Sequence, residues 1–168
     1  MPLYSNLLAV EDAHGIAVGV INIPALGETV WAGRGLGCHC NGQPARVSTV
    51  ATVGESYITT SGFSPWSDQA ILALQHTGAH LRTWGDGYGY VLVATGRVDA
   101  MIDPIAELSD LAPMPVILAE AGGRFGSLDG AEGPGHGSGI ASNGLIHDEL
   151  LSHLGGAAAA AKDGMPPG

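Results

Sequence analysis

Apolar positions in the first third of the chain fall in short β-rich runs separated by polar turns. Runs at 4–10 and 16–23 flank the polar turn EDAHG, and a third run covers 29–33. Apolar runs joined by short glycine-containing turns are typical of antiparallel strands. The pattern therefore predicts an antiparallel meander at the start of the chain.

Glycine alternates through the next segment, GRGLGCHCNG, at Gly33, Gly35 and Gly37. Such a loop can cradle a phosphate, but this one lacks the strand–loop–helix context and the lysine of a P-loop. Asn41-Gly42 is typical of a two-residue hairpin turn, and a strand-like run follows at 45–48. We favour the hairpin over the phosphate loop.

Strand-like and helical runs alternate through the remaining two thirds. Strands are predicted at 56–60, 80–84, 99–103 and 139–142, and helices at 65–76, 88–96, 111–121 and 145–154. Ser109-Asp110 is predicted to cap the third helix, which Gly122-Gly123 ends. The alternation predicts a mixed α/β fold. Residues 156–168, rich in Ala, Gly and Pro, are predicted to be a disordered tail after one domain at 1–155.

Composition and charge narrow the class of protein. The 168 residues are 45% hydrophobic and 13% charged, which excludes a chain that is disordered throughout. A formal net charge of −10 argues against nucleic acid or an anionic membrane as a partner and is compatible with binding cations. No apolar run approaches the roughly 20 residues of a membrane span.

The two cysteines, Cys38 and Cys40, flank His39. One intervening residue is poor geometry for a disulfide, and no second Cys/His pair follows at zinc spacing. We read them as reduced thiols of a cytoplasmic protein, with a Cys-His-Cys metal site as the alternative.

Candidate chemistry concentrates in residues 82–124, where acidic side chains stand at element boundaries. These are Asp86, Asp103, Glu107 and Asp110. Asp110 can be read as an ordinary helix cap. It can also be read as one of several carboxylates that meet at a helix end to hold Mg²⁺, which prefers oxygen ligands.

The turn Gly85-Asp86-Gly87 lies between a predicted strand and a predicted helix. Glycines there would let backbone amides approach an anion at the helix N-terminus. The alternative is a plain strand-to-helix turn capped by Asp86. No Ser/His/Asp order indicates a nucleophile, and we assign no catalytic histidine.

Two longer segments carry a resemblance to a known family. GVINIPALGETVWAGRGLGCHCNGQPARVS and DPIAELSDLAPMPVILAEAGGRF resemble signatures of the inositol monophosphatase superfamily of magnesium-dependent phosphatases. RTWGDGYGYVLVATGRVDAMIDP and GSGIASNGLIHDELLSHL resemble its histidinol-phosphatase branch. The resemblance covers residues 2–154.

The resemblance implies an α/β fold, the layered α-β-α-β sandwich of that family. It implies that Asp110 binds Mg²⁺, while Gly85, Asp86, Gly87 and Asp103 contact the substrate. The implied reaction is hydrolysis of a small phosphate monoester, histidinol phosphate by preference, with an inositol or sugar phosphate as the alternative. A homodimer is the usual assembly in such a family.

Two departures from the family pattern limit these expectations. Ser109 stands where the family has tryptophan, and the Asp-Pro-Ile-Asp-Gly-Thr stretch that supplies most metal ligands is absent. The chain is therefore expected to be an N-terminally truncated form of the fold with little activity alone. A non-catalytic binding or assembly module with a degenerate metal site is the alternative from another class.

Overall fold

The structure, a computed structural model, describes residues 2–158 and the side chains of residues 2–154. Its elements, in chain order, are β1 (Asn6–Asp12), β2 (Gly15–Ile23), β3 (Glu28–Gly33), β4 (Gly37–Cys40), β5 (Gln43–Pro44), β6 (Tyr57–Thr59), α1 (Asp68–His76), β7 (His80–Arg82), α2 (Asp86–Ala94), β8 (Ala100–Asp103), α3 (Leu108–Leu111), α4 (Met114–Ala121), β9 (Arg124–Gly126), β10 (Gly139–Ser142) and α5 (His147–Ala158). None of the helices described here is long and apolar enough to cross a bilayer.

The first five strands form one antiparallel sheet in the order β1-β2-β3-β4-β5. Each strand pairs with the next along the chain, as in the register that sets Leu8 opposite Val20 and Val20 opposite Trp31. This confirms the predicted meander, because short polar turns allow only neighbouring strands to pair. Residues 45–48 form no strand, although Val47 donates its amide to Ala121.

The second sheet is mixed, in the order β7-β6-β8-β10-β9. Strand β6 is parallel to both β7 and β8, whereas β10 is antiparallel to β8 and β9. Helices α1 and α2 make the crossovers that parallel pairing requires. Strand β9 was missed from the sequence, since its three residues follow the Gly122-Gly123 helix stop too closely to form a recognisable run.

Two apolar cores separate four layers. Ile21 and Val30 of the first sheet, Ile117 of α4 and Met101 of the second sheet belong to one core. The opposite face of the second sheet packs with α1 and α5 in the other, as Ile102 does. The layers therefore run sheet, helices, sheet, helices, which confirms the expected α-β-α-β sandwich.

The helix predicted at 111–121 is two helices, α3 and α4, and its predicted cap is wrong. Glu107 is the N-cap of α3, and Asp110 lies inside the helix as its third residue, in a capping box with Glu107. Pro113 at the N-terminus of α4 has no amide hydrogen to continue a helix from α3. Asp110 is thus placed by a short separate helix.

Helix α5 runs to Ala158, beyond the predicted end at 154. Residues 159–168 of the predicted disordered tail lie outside the described residues, so that prediction stays open.

The glycine-alternating loop binds a carboxylate side chain of the same protein, that of Glu120. The amides of Gly35 and Gly37 each donate to a carboxylate oxygen of Glu120 on α4, both at 2.7 Å. This intramolecular pairing ties the β3–β4 hairpin to the helix layer. The loop is the favoured hairpin, and its amides are already occupied.

Cys38 and Cys40 are free thiols that share the inner face of β4. Burial raises the pKa of Cys38 to about 11, so the thiol stays protonated at neutral pH. His39 points to the opposite face and stacks on Trp31. Because alternate residues of a strand face opposite ways, the Cys-His-Cys metal site is wrong.

Candidate functional site

The carboxyl ends of the parallel strands β7, β6 and β8 meet at one edge of the second sheet. Register places Thr59 beside Arg82 on one side and Met101 on the other, so the residues that follow each strand converge. A cavity of about 310 Å³ opens there. Its lining is Leu3, Tyr4, Ser5, Leu7, Ser61, Asp86, Gly87, Tyr90, Asp103, Ile105, Ala106 and Asp110. Open α/β sheets characteristically bind ligands at this edge.

Asp103, the last residue of β8, is a buried carboxylate with two hydroxyl donors. The Ser61 hydroxyl donates to Oδ1 at 2.6 Å, and the Tyr90 hydroxyl donates to Oδ2 at 2.9 Å. Burial raises the pKa of Asp103, these hydrogen bonds partly oppose that shift, and the charge of Asp86 adds to it. Asp103 is therefore fixed in orientation with both of its oxygens engaged.

Tyr90 supports this arrangement from helix α2. Its side chain is fully buried, and burial followed by the charge of Asp103 raises its pKa well above the usual value. The phenol therefore remains a proton donor to Asp103. A Cβ at Gly139 would lie 2.8 Å from the Tyr90 oxygen, so glycine on β10 makes room for the hydroxyl.

The Gly85-Asp86-Gly87 turn follows β7 and packs tightly against neighbouring chain. A Cβ at Gly85 would collide with the backbone of Ser61, and one at Gly87 would lie 2.5 Å from Ser5 Oγ. Asp86 has a left-handed φ of 52°, and its amide donates to Ser61 Oγ at 2.9 Å. Packing against the Ser61 backbone thus requires glycine at Gly85, Gly87 lies close against the Ser5 side chain, and Asp86 is held exposed at the cavity.

Asp110 reaches the same cavity from α3. One carboxylate oxygen accepts the Glu107 amide at 3.3 Å, which is the capping-box contact. The side chain is exposed, and its charge helps to raise the pKa of Tyr90. Asp110 therefore has an oxygen available to a ligand, whereas Glu107 is not part of the cavity lining.

The cavity lining includes the sequence-predicted residues Asp86, Gly87, Asp103 and Asp110 but not Gly85, which precedes Asp86 in the chain. Sequence reasoning missed Ser61 and Tyr90. Ser61 follows β6 just as Asp103 ends β8, so correct parallel pairing of those strands would have found it. Tyr90 fell within the helix predicted at 88–96 and was assigned no role in the site.

The residues described do not form a complete magnesium site. Between residues 2 and 158 no group of three or more His, Cys, Asp or Glu side chains is placed to hold a metal ion. Asp103 is engaged by its hydroxyl donors, which leaves Asp110 and Asp86 as the available carboxylates. Mg²⁺ often takes one or two protein carboxylates and fills its octahedron with water and phosphate oxygens, so these two residues satisfy only part of its requirement.

Comparisons with known proteins agree on one family. A sequence profile described as the Inositol monophosphatase family matches residues 1–159. A histidinol-phosphatase of Mycobacterium tuberculosis is 37% identical over 163 residues, covering 92% of this chain and 63% of that protein. A fructose-1,6-bisphosphatase/inositol-1-monophosphatase of Thermotoga maritima is 31% identical, covering 90% and 60%.

Solved structures give the same result. The Thermotoga maritima IMPase superposes with a TM-score of 0.83 and 29% identity, covering 96% of this chain and 64% of that one. The chain thus spans less than two thirds of the length of the relatives it matches.

Proposed function

Because this chain belongs to the inositol monophosphatase family, we propose that it serves the magnesium-dependent hydrolysis of a small phosphate monoester. The observation that carries the proposal is the convergence of Asp86, Asp103 and Asp110 on one cavity at the carboxyl edge of parallel strands. The free thiols support a cytoplasmic location for this enzyme.

The negative charge of the cavity supports a requirement for cations when a phosphate binds. The cavity lining contains three carboxylates and, among the described residues, no Lys, Arg or His side chain. A phosphate dianion would be repelled from such a lining unless metal ions accompanied it. Mg²⁺ would supply that positive charge and polarise the phosphoryl group, and Asp110 would be its ligand from this chain.

The substrate side of the cavity is assigned to Asp103 and the Gly85-Asp86-Gly87 turn. Asp103, oriented by Ser61 and Tyr90, accepts a hydrogen bond from a hydroxyl or amine of the alcohol moiety. The N-terminus of α2 at Asp86 favours an anionic group through its helix dipole. No residue of the chain is assigned as a nucleophile or general base.

Histidinol phosphate is the proposed substrate. The histidinol-phosphatase relative is more similar to this chain than the fructose-1,6-bisphosphatase/inositol-1-monophosphatase relative, at 37% against 31% identity. Carboxylates at the substrate side suit an alcohol that bears a cationic amine. An inositol or sugar phosphate is the alternative in the same family.

We further propose that the 168-residue chain alone turns over its substrate slowly or not at all. Asp110, the one carboxylate assigned to the metal, provides too few ligands to fix a metal-bound water in line with the phosphoryl group. The alternative is a non-catalytic module, which would retain the fold and have no phosphatase activity.

Two measurements test these proposals. One is magnesium titration by calorimetry, and the other is phosphate release from histidinol phosphate, inositol 1-phosphate and fructose 1,6-bisphosphate. We expect weak magnesium binding that Asp110→Asn abolishes and Asp68→Asn preserves, since Asp68 lies in the first turn of α1 and is not part of the cavity lining. Rapid magnesium-dependent turnover would contradict the proposed low activity. Absence of magnesium binding would favour the non-catalytic module.

A further inference from the structure

A second cavity, of about 400 Å³, opens at the C-terminal end of helix α2, where that helix meets the edge of the antiparallel sheet. The charged side chains in the lining of this arginine cavity are two guanidinium groups, those of Arg46 and Arg97, and one carboxylate, that of Glu28. The lining therefore carries a net charge of +1 in a protein whose formal net charge is −10. Cationic side chains gathered in a concave site attract anions.

Arg46 is exposed, and its guanidinium has no hydrogen bond, ion pair or aromatic contact within the described residues. The other four arginines of the chain are engaged, because three form ion pairs with Asp or Glu and Arg82 lies over two aromatic rings. The chain has 16 acidic residues, yet none of those described pairs with Arg46. All five N–H donors of this guanidinium are therefore available to a ligand in the cavity.

Arg97 is fixed in orientation at the same cavity. Its Nη1 and Nη2 atoms donate to the two carboxylate oxygens of Glu28 at 3.1 and 2.5 Å, and its Nε donates to Thr95 Oγ1 at 2.9 Å. The guanidinium carbon lies 5.8 Å from the centroid of the Tyr88 ring. These hydrogen bonds engage three of the five donors, so two N–H groups remain for a ligand. The ion pair also neutralises Glu28, which would otherwise repel an anion.

The backbone that carries Arg46 is held in place on both sides. Ala45 and Val47 donate their amides to carbonyl oxygens of β4 and α4 at 2.8 and 3.1 Å. The end of α2 packs closely on the same segment, because a Cβ at Gly96 would lie 2.9 Å from the Arg46 carbonyl oxygen. Both arginines of the cavity thus project from fixed backbone, which lowers the entropic cost of binding a ligand between them.

The other polar side chains of the lining add no charge to the cavity. Burial, followed by the charge of Glu28, raises the pKa of Cys40, so this thiol remains protonated at neutral pH. The Asn41 side chain is already engaged, since it donates to one backbone carbonyl and accepts from one backbone amide, both at 2.9 Å. The two guanidinium groups therefore determine which ligands the cavity attracts.

We propose that the arginine cavity binds a phosphate group, either as inorganic phosphate or as part of a small phosphomonoester. A guanidinium donates to phosphate oxygens through two parallel N–H groups, and a tetrahedral phosphate has oxygens enough for both arginines. The site lies at the opposite end of α2 from the candidate active site, and the nine residues of that helix place its two ends about 14 Å apart. Unlike the candidate active site, the arginine cavity supplies positive charge from its own side chains.

Proton–nitrogen NMR of the arginine Nε–Hε groups tests the proposal, because a chain with few arginines gives a simple spectrum. The protein is titrated in EDTA with inorganic phosphate and, separately, with glycerol 3-phosphate, and sodium chloride of matched ionic strength is the control. Without metal ions, the three carboxylates of the candidate active site repel both probes. We expect saturable shifts of the Arg46 and Arg97 signals with a dissociation constant on the order of 1 mM, since the site is open to solvent. The probe that binds more tightly identifies the source of the phosphate group.

Two pairs of variants assign the binding to the arginine cavity. Arg46→Gln should weaken phosphate binding about tenfold, as followed on the Arg97 signal, whereas Arg82→Gln removes the same charge outside the lining and should bind as wild type does. Glu28→Gln removes the competing carboxylate and should tighten binding about threefold. Glu55→Gln, at an exposed glutamate outside the lining, is its matched control and should leave binding unchanged.

Circular dichroism establishes that each variant is folded, and Arg46→Gln alone carries the test if Glu28→Gln is not, because Arg46 is exposed and makes no side-chain contact to lose. Absence of a phosphate-dependent shift in wild type overturns the proposal. So does an equal shift with sodium chloride, or an Arg46→Gln variant that binds phosphate as tightly as wild type. Neither magnesium nor turnover enters the measurement, so failure here leaves the proposed function untouched.

Discussion

His147, the first residue of α5, should make the fold acid-sensitive. Its side chain is 2% exposed, and Nδ1 lies 2.8 Å from the Ser142 hydroxyl. Gly144 donates its amide to the same hydroxyl oxygen, so the hydroxyl proton is directed to Nδ1. Burial, reinforced by the charge of Arg124, lowers the pKa of His147 to about 4. The folded chain therefore holds this imidazole neutral.

The difference between the folded and unfolded pKa of His147 determines how the free energy of unfolding changes with pH. An unfolded histidine has a pKa near 6.5, so the unfolded chain binds a proton between pH 6.5 and 4 that the folded chain does not. Stability is then fully present above pH 6.5 and falls as the pH drops toward 4. For these two pKa values the free energy of unfolding should decrease by about 2 kcal/mol between pH 7 and pH 5.

Urea denaturation at both pH values measures this difference. His147→Gln should lose most of the pH dependence while keeping an acceptor for Ser142. His153→Gln is the matched control on the same helix, since His153 is largely exposed, and it should behave as wild type. Carboxylates that titrate in this range contribute equally to all three proteins and cancel. Equal slopes for wild type and His147→Gln would refute the reasoning.

Three further substitutions test the site and its surroundings by urea denaturation. Tyr90→Phe removes a donor from a buried carboxylate and should cost about 1–3 kcal/mol, whereas Tyr57→Phe, at an exposed ring, should cost little. Gly85→Ala should cost more than about 2 kcal/mol because its Cβ collides with Ser61, while Gly62→Ala, with open space around it, should be nearly neutral. Glu120→Gln replaces one of the two acceptor oxygens by an NH2 group, so one amide of the glycine loop loses its acceptor, and the change should cost about 1–2 kcal/mol. If Glu120→Gln left the free energy of unfolding unchanged, the pairing of Glu120 with the glycine loop would be contradicted. If Gly85→Ala and Gly62→Ala lowered it equally, the close packing assigned to Gly85 would be contradicted.

Local patterns in the sequence were sufficient to predict structure where segments that are adjacent in the chain also pack together in space. The meander formed as predicted, because hairpin turns and alternating apolar residues specify pairing between consecutive strands. Helix α1 likewise follows from its apolar period and its glycine stop, whereas α2 is buried on all sides from Gly89 to Ala94. Three of the four acidic residues singled out at element boundaries, Asp86, Asp103 and Asp110, line the cavity, whereas Glu107 does not.

Tertiary structure decided what depends on contacts between distant segments. The pairing of β6 with β8 brings Ser61 to Asp103 across 42 residues, which no local pattern encodes. The glycine loop resembled an anion cradle in sequence, but only packing of α4 shows that Glu120 is the anion. The apolar period of 111–121 concealed a break at Pro113, which places Asp110 on a separate short helix. Sequence thus determined the meander, helix α1 and the candidate acidic residues, while packing determined which of their polar groups remain free to bind a ligand.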